Sequence, residues 1–235
     1  MKKIIAILSC VLVSAALWAQ QINDPNAQVR DVKEFHSIHV GNAFDVYLSQ
    51  GNEEKVVVSA KDAKDIADIV VEVKNGVLWV HYNHKKWYKS NQKLKAYISF
   101  KYIDELVISG ACDVDIAGTL VAKEDMKIDL SGASDLTGKI EVGKALSFEL
   151  SGASDAKVSG RATNIDIDAN GASSFKGFDF AVDNCNAKAT GASDIKITVN
   201  KELSAKATGA SSINYKGSGV IRDIKTSGAS GVSRS

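Results

Sequence analysis

Residues 130–135 read LSGASD, and residues 150–155 read LSGASD again. Aligned on its glycine, the motif occurs seven times: SGACD (109–113), SGASD (131–135), SGASD (151–155), NGASS (170–174), TGASD (190–194), TGASS (208–212) and SGASG (227–231). From Gly110 to Gly228 the successive spacings are 22, 20, 19, 20, 18 and 19 residues. A period near twenty marks stacked supersecondary units, each burying its apolar face against the next.

The flanks of the motif say what the unit is. Four residues before each glycine stand Leu106, Ile128, Phe148, Ile167, Ala187, Ala205 and Ile224. Four residues after it stand Val114, Leu136, Ala156, Phe175, Ile195, Ile213 and Val232. Odd offsets are mostly polar, as in KIDL (127–130) and DIDA (166–169). That alternation is the period of a strand with one buried face. Twenty extended residues have a perimeter of roughly 65 Å, enough for short strands and tight corners around a narrow core.

The chain therefore reads as all-β: a right-handed parallel β-helix, or β-solenoid, with about seven coils of 18–22 residues. The variable coil length does not fit a strict hexapeptide left-handed helix, and parallel crossovers are right-handed. The glycine serves as a corner that a β-carbon would obstruct. The alanine after it is expected where little beyond a methyl fits, and the Ser and Thr hydroxyls are expected to bond corner backbone.

Before the first motif lie strand-like stretches at residues 35–40, 44–48, 55–59, 69–73, 77–82 and 94–100, with a short helix expected within 61–68. Asn75-Gly76 is a type I′ hairpin signal. A solenoid has raw ends that need covering, so this region is expected to be an N-terminal β-rich cap that partly continues the stack. The domain reading is 1–19 signal peptide, 20–33 linker, 34–104 N-terminal β cap and 105–235 solenoid repeats. The signal peptide rests on Lys2-Lys3, the apolar run Ile4–Leu17 and cleavage after Ala19. Lipid attachment at Cys10 is the alternative. No later stretch approaches the roughly 18 apolar residues of a membrane span.

Removing Lys2 and Lys3 leaves 27 basic against 28 acidic residues, a formal charge of −1. No global field draws such a chain to nucleic acid, so partners must be recognised locally. Cys112 and Cys185 are too few for a disulfide framework and lie too far apart in the stack to bond, so both are expected as free thiols. His36, His39, His81 and His84 offer no closed ligand set, and neither a metal nor another cofactor is expected. The aspartates three residues after the glycines read as solvated turn residues, since the calcium-binding nonapeptide is absent.

Two outer features invite function. Three residues before the glycines the column reads Val107, Asp129, Glu149, Asp168, Lys188, Lys206, Lys225, acidic at one end and basic at the other. The stretch HKKWYKSNQK (84–93) sets Trp87-Tyr88 among four lysines. Lys86, Trp87, Tyr88 and Lys89 are the binding candidates, by stacking on sugars or contacting anionic groups. The structural alternative is that these rings fold over the solenoid's edge. No catalytic residue is assigned. Carboxylate pairs such as Asp113/Asp115 and Asp166/Asp168 leave open a polysaccharide hydrolase or lyase. Arg222 falls in the inward column of Leu203, and self-association through the C-terminal edge is a third possibility.

IHVGNAFDVYLSQG (38–51), VVVSA (56–60) and VKNGVLWV (73–80), followed by the serial SGASD corners, resemble the bacterial GIN-domain family of autotransporter-adhesin head domains, from about Glu34 to about Gly219. The resemblance implies a secreted or surface-associated β-solenoid of Bacteroidetes type, in the periplasm, at the outer membrane or outside the cell. Its expected role is non-catalytic, adhesin-like binding of a glycan, the matrix or an envelope protein.

Overall fold

The computed structural model describes residues 24–83 and 93–235. Strands hold 69% of them and a single 3-10 helix 3%, so nearly every main-chain hydrogen bond runs between strands of one β-solenoid of about six turns. The coil count thus falls slightly below the number of corner motifs.

The strands are β1 (Gln28–Arg30), β2 (Ser37–Val40), β3 (Phe44–Gln50), β4 (Lys55–Ser59), β5 (Ile69–Lys74), β6 (Val77–Tyr82), β7 (Leu94–Phe100), β8 (Glu105–Ile108) and β9 (Asp113–Ala122). They continue as β10 (Met126–Leu130), β11 (Asp135–Leu150), β12 (Asp155–Ala169), β13 (Ser174–Gly191), β14 (Asp194–Gly209), β15 (Ser212–Lys216), β16 (Val220–Gly228) and β17 (Gly231–Arg234). Two parallel ladders run the length of the stack. The strand segments before the corners pair in the order β6, β2, β8, β10, β11, β12, β13, β14, β16. Those after the corners pair in the order β7, β3, β9, β11, β12, β13, β14, β15, β17. Register is set by the motif: Leu136 opposes Val114 and Ala156, and Phe148 opposes Ile128 and Ile167.

The corner shows why each residue type recurs. Gly132, Gly152 and Gly171 have φ between +77° and +83°. A β-carbon on Gly152 would stand 2.3 Å from the carbonyl oxygen of Gly132 one coil away. The next residue's N–H donates to that same oxygen: Ala133 to Gly110 and Ala153 to Gly132, each at 2.7 Å. The expectation for the alanine is corrected, because Ala133, Ala153 and Ala192 are exposed. The tight place belongs to the serine that follows. Ser134 and Ser154 are wholly buried, and their hydroxyls donate back to Ser131 and Ser151 carbonyls at 3.0 and 2.9 Å. Cys112 holds this place in its coil, with Sγ 3.5 Å from the Ser109 carbonyl.

An eighth corner precedes the seven. Gly41-Asn42-Ala43-Phe44-Asp45 stacks on residues 109–113: Ala111 N–H donates to Asn42 O at 2.6 Å, and Asp45 opposes Asp113. Asn42 carries φ +80° in place of glycine, a conformation that asparagine tolerates better than most residues. Its Oδ1 accepts from Tyr82 N–H at 2.7 Å. The coil made by β2 and β3 lies inside the stack, between β6/β7 on one side and β8/β9 on the other.

Between β3 and β6 the chain leaves the stack to build its cap. β4 runs antiparallel to β7, β1 lies antiparallel on β4, and β5 forms a hairpin with β6 through Asn75-Gly76, both at positive φ. The helix Ala63–Asp68 inserts Ile66 beneath it. Antiparallel strands end the parallel stack here, protecting that edge.

Side chains in the core compensate along the axis. The column two before the glycines shrinks from Ile108, Leu130 and Leu150 to Ala169, Ala189 and Ala207, all buried. Phe148 and Phe175, both buried, meet edge to face at 5.1 Å. At the far end the register slips: Leu203 opposes Ile221 and Ser204 opposes Asp223. Arg222 is therefore not in the inward column. It is extruded at the bulge and pairs with Glu202 at 2.7 Å.

Candidate ligand-binding face

Because coils stack in register, each outward position becomes a column along the axis. Three residues after Asn42 and then after each corner glycine, Asp45, Asp113, Asp135 and Asp155 follow one another, then Ser174, Asp194 and Ser212. Neighbouring carboxylates about 4.8 Å apart repel by roughly 0.9 kcal/mol per pair in water. Partial burial, then Asp155 and Asp113, hold the Asp135 carboxyl above its usual range. Lys176 relieves one end of the column at 3.0 Å from Asp155. Among the described residues no group of three or more His, Cys, Asp or Glu is arranged to hold a metal ion.

Two residues further on lies the most diverse column. It runs Tyr97, Tyr47, Asp115, Thr137, Lys157, Lys176, Lys196, Asn214. Tyr47 and Tyr97 stack at 4.9 Å with planes 14° apart, and Tyr47 is exposed. Beside the lysines β13 bulges: Gly177 opposes Ile197 but Ala181 opposes Thr198, leaving residues 178–180 over. Phe180 turns into the core, Asp179 is exposed and half-buried Phe178 forms a ridge with the Lys216 ammonium 4.3 Å from its ring centre. Ridge and lysines enclose an open cleft of about 410 Å³ floored by Gly138 and Val158. Bulges commonly re-aim side chains in this way.

On the other ladder, the expected polar gradient is in register from Val107 through Asp129, Glu149, Asp168, Lys188 and Lys206 to Lys225. Asp168 accepts from Lys188 at 2.8 Å. Asp166 and Asp168 share a face, yet Asp166 accepts from Asn186 at 3.0 Å, so both carboxylates bond the next coil. His36 lies 3.2 Å from Asp104, and His39 lies 3.1 Å from Glu105 and edge-on to Trp79. Hydrogen bonds from Ser37 and His39 hold Glu105 below the usual carboxylate range. Cys112 and Cys185 are free and buried, and burial pushes the Cys185 thiol up to about 12.

The binding candidates Lys86, Trp87, Tyr88 and Lys89 lie outside the described residues. The signal peptide and Cys10 do so too. Composition did not disclose the Tyr47/Tyr97 stack or the cleft. The tyrosines are 50 residues apart in sequence and meet only through the pairing of β3 with β7. The available signal was Asp45, three residues after an asparagine standing in for the corner glycine.

No curated protein matches the chain. Among solved structures, the chain is similar to a putative adhesin from Bacteroides fragilis, at 21% identity and a TM-score of 0.80, covering 89% of this chain and 96% of that one. A putative adhesin from Parabacteroides distasonis gives 20% and 0.69, over 89% and 96%. A protein of that organism described as a putative lipid binding protein gives 18% and 0.69, over 91% and 98%. These likenesses are of fold. The family model described as "Putative auto-transporter adhesin, head GIN domain" matches residues 34–219, and with the serial corners on which it falls, the chain belongs to that family.

Proposed function

We propose that this protein is a secreted, non-catalytic binding module of adhesin type, exported to the periplasm, outer membrane or exterior of a bacterium of Bacteroidetes type. The observation that carries the reading is the in-register outer face. A rigid stack presents tyrosines, carboxylates and ammonium groups once per coil, so weak contacts act in series on an extended partner. Family membership supports the same reading. A glycan, the matrix or another envelope protein is the partner class, and Lys86, Trp87, Tyr88 and Lys89 remain proposed contacts.

Retention on whole cells of the source organism tests this. The chain from residue 20 onward is expected to bind saturably, and Trp87→Ala with Tyr88→Ala to weaken retention while the fold persists. Absence of retention, or release of sugar fragments from polysaccharide by the purified protein, would refute it. The partner list includes a second copy. On β16, Val220, Ile221 and Ile224 are 71%, 44% and 39% exposed, and the strand pairs on one side only, with β14. Asp223 and Lys225 would complement each other across an antiparallel pair of such edges. Concentration-dependent oligomers in sedimentation are expected, and a monomer at high concentration counts against this contact.

A further inference from the structure

We propose that the lysine cleft between Thr137 and Lys196, with Tyr47 further along the same column beyond Asp115, is a site for an acidic polysaccharide, whose sugars carry carboxylate or sulfate groups. The proposal deepens the adhesin reading and rests on it. The site combines three things an acidic sugar chain requires. Tyr47, stacked on Tyr97 and exposed, offers a flat apolar platform to a sugar ring. Lys157, Lys176 and Lys196 place one ammonium per coil, at steps of about 4.8 Å, along the direction in which an extended chain would lie. The β13 bulge turns this stretch into a cleft, so a ligand there contacts a floor and a wall rather than a flat sheet.

The charges favour this class over its rivals. Lys176 and Lys196 are engaged by Asp155 at 3.0 Å and Asp194 at 3.3 Å. Lys157 pairs with no carboxylate among the described residues and is the ammonium open to an incoming anion. The carboxylate column Asp45 to Asp155 runs alongside, so an anionic partner is held at the lysines and not along the whole face. Asp179, on the ridge, is an acceptor for sugar hydroxyls, which a simple anion lacks.

The test measures binding of the purified chain to polygalacturonate, heparin and neutral dextran. Salt-sensitive binding to one or both acidic polymers and none to dextran is expected. Preference between the two acidic polymers assigns carboxylate or sulfate. Lys157→Gln with Lys176→Gln should lower affinity about tenfold, the scale of losing two charge-assisted contacts at the surface. Lys188→Gln with Lys206→Gln removes the same charge from the flat face and should change affinity less than about twofold. Lys157→Gln alone breaks no ion pair and keeps the result readable if the double variant is unstable. Equal loss in both double variants, or no binding of the unaltered chain, overturns the site. Cell retention separates the two readings: retention that survives Lys157→Gln/Lys176→Gln keeps the adhesin function and removes this site.

Discussion

Replacing Gly152 by alanine probes the contact on which the stack is built. The residue has φ +77°, where an L-residue costs about 1–2 kcal/mol. Its new β-carbon would meet the Gly132 oxygen at 2.3 Å and the carbon of that carbonyl at 3.1 Å, both backbone atoms that cannot rotate away. Relief requires the two coils to part by roughly 1 Å, an overpacking cost of about 1–3 kcal/mol. It also stretches the 2.7 Å bond from Ala153 N–H to the same oxygen, worth about 1 kcal/mol. The sum is about 3–6 kcal/mol. Gly118 provides the control: φ is +82° but nothing lies within 4 Å of a β-carbon there, so Gly118→Ala should cost only the strain, about 1–2 kcal/mol. Gly231 has neither restriction, and Gly231→Ala should stay within about 0.5 kcal/mol of the unaltered chain. Urea unfolding midpoints give the ranking, and amide exchange at Ala153 reports coil separation where unfolding is not two-state. Equal destabilisation by Gly152→Ala and Gly118→Ala would refute the reasoning, because close approach between coils would then contribute nothing beyond backbone conformation.

Asp135→Asn should stabilise the protein at neutral pH by about 0.5–1 kcal/mol, the water-screened repulsion from Asp113 and Asp155 discounted for exposure. Since the folded carboxyl titrates above its unfolded value, ionisation opposes folding at neutral pH and protonation relieves it. The advantage of Asn should therefore fade as pH falls through the folded value and vanish below the unfolded one; urea midpoints at pH 7 and pH 3 measure it, and no gain at pH 7 refutes the coupling. In the chain from residue 20 onward, Cys112 and Cys185 should resist a thiol reagent when folded and both react in urea, and rapid labelling of the folded protein would contradict their burial.

The seven corners and the alternation around them determined the solenoid, because a coil of fixed perimeter can stack only if its bends and inward side chains recur in step. That is why LSGASD could be read as a turn, and why the columns before and after it proved buried as far as Ala205 and Ile213. The same letters left three matters open. Asn42 and Phe44 disguise the first corner, since αL backbone and corner packing tolerate residues that do not look like Gly and Ser. The insertion of the β2/β3 coil between β6/β7 and β8/β9 depends on long-range pairing, which no local pattern encodes. The buried serine, the extruded Arg222 and the β13 bulge are decided by how one coil lies on the next, at distances of a few ångströms that no spacing along the chain prescribes. Tyr47, Lys157 and Lys196 share a face for that reason alone: periodicity set the coil, and stacking of the coils made the column.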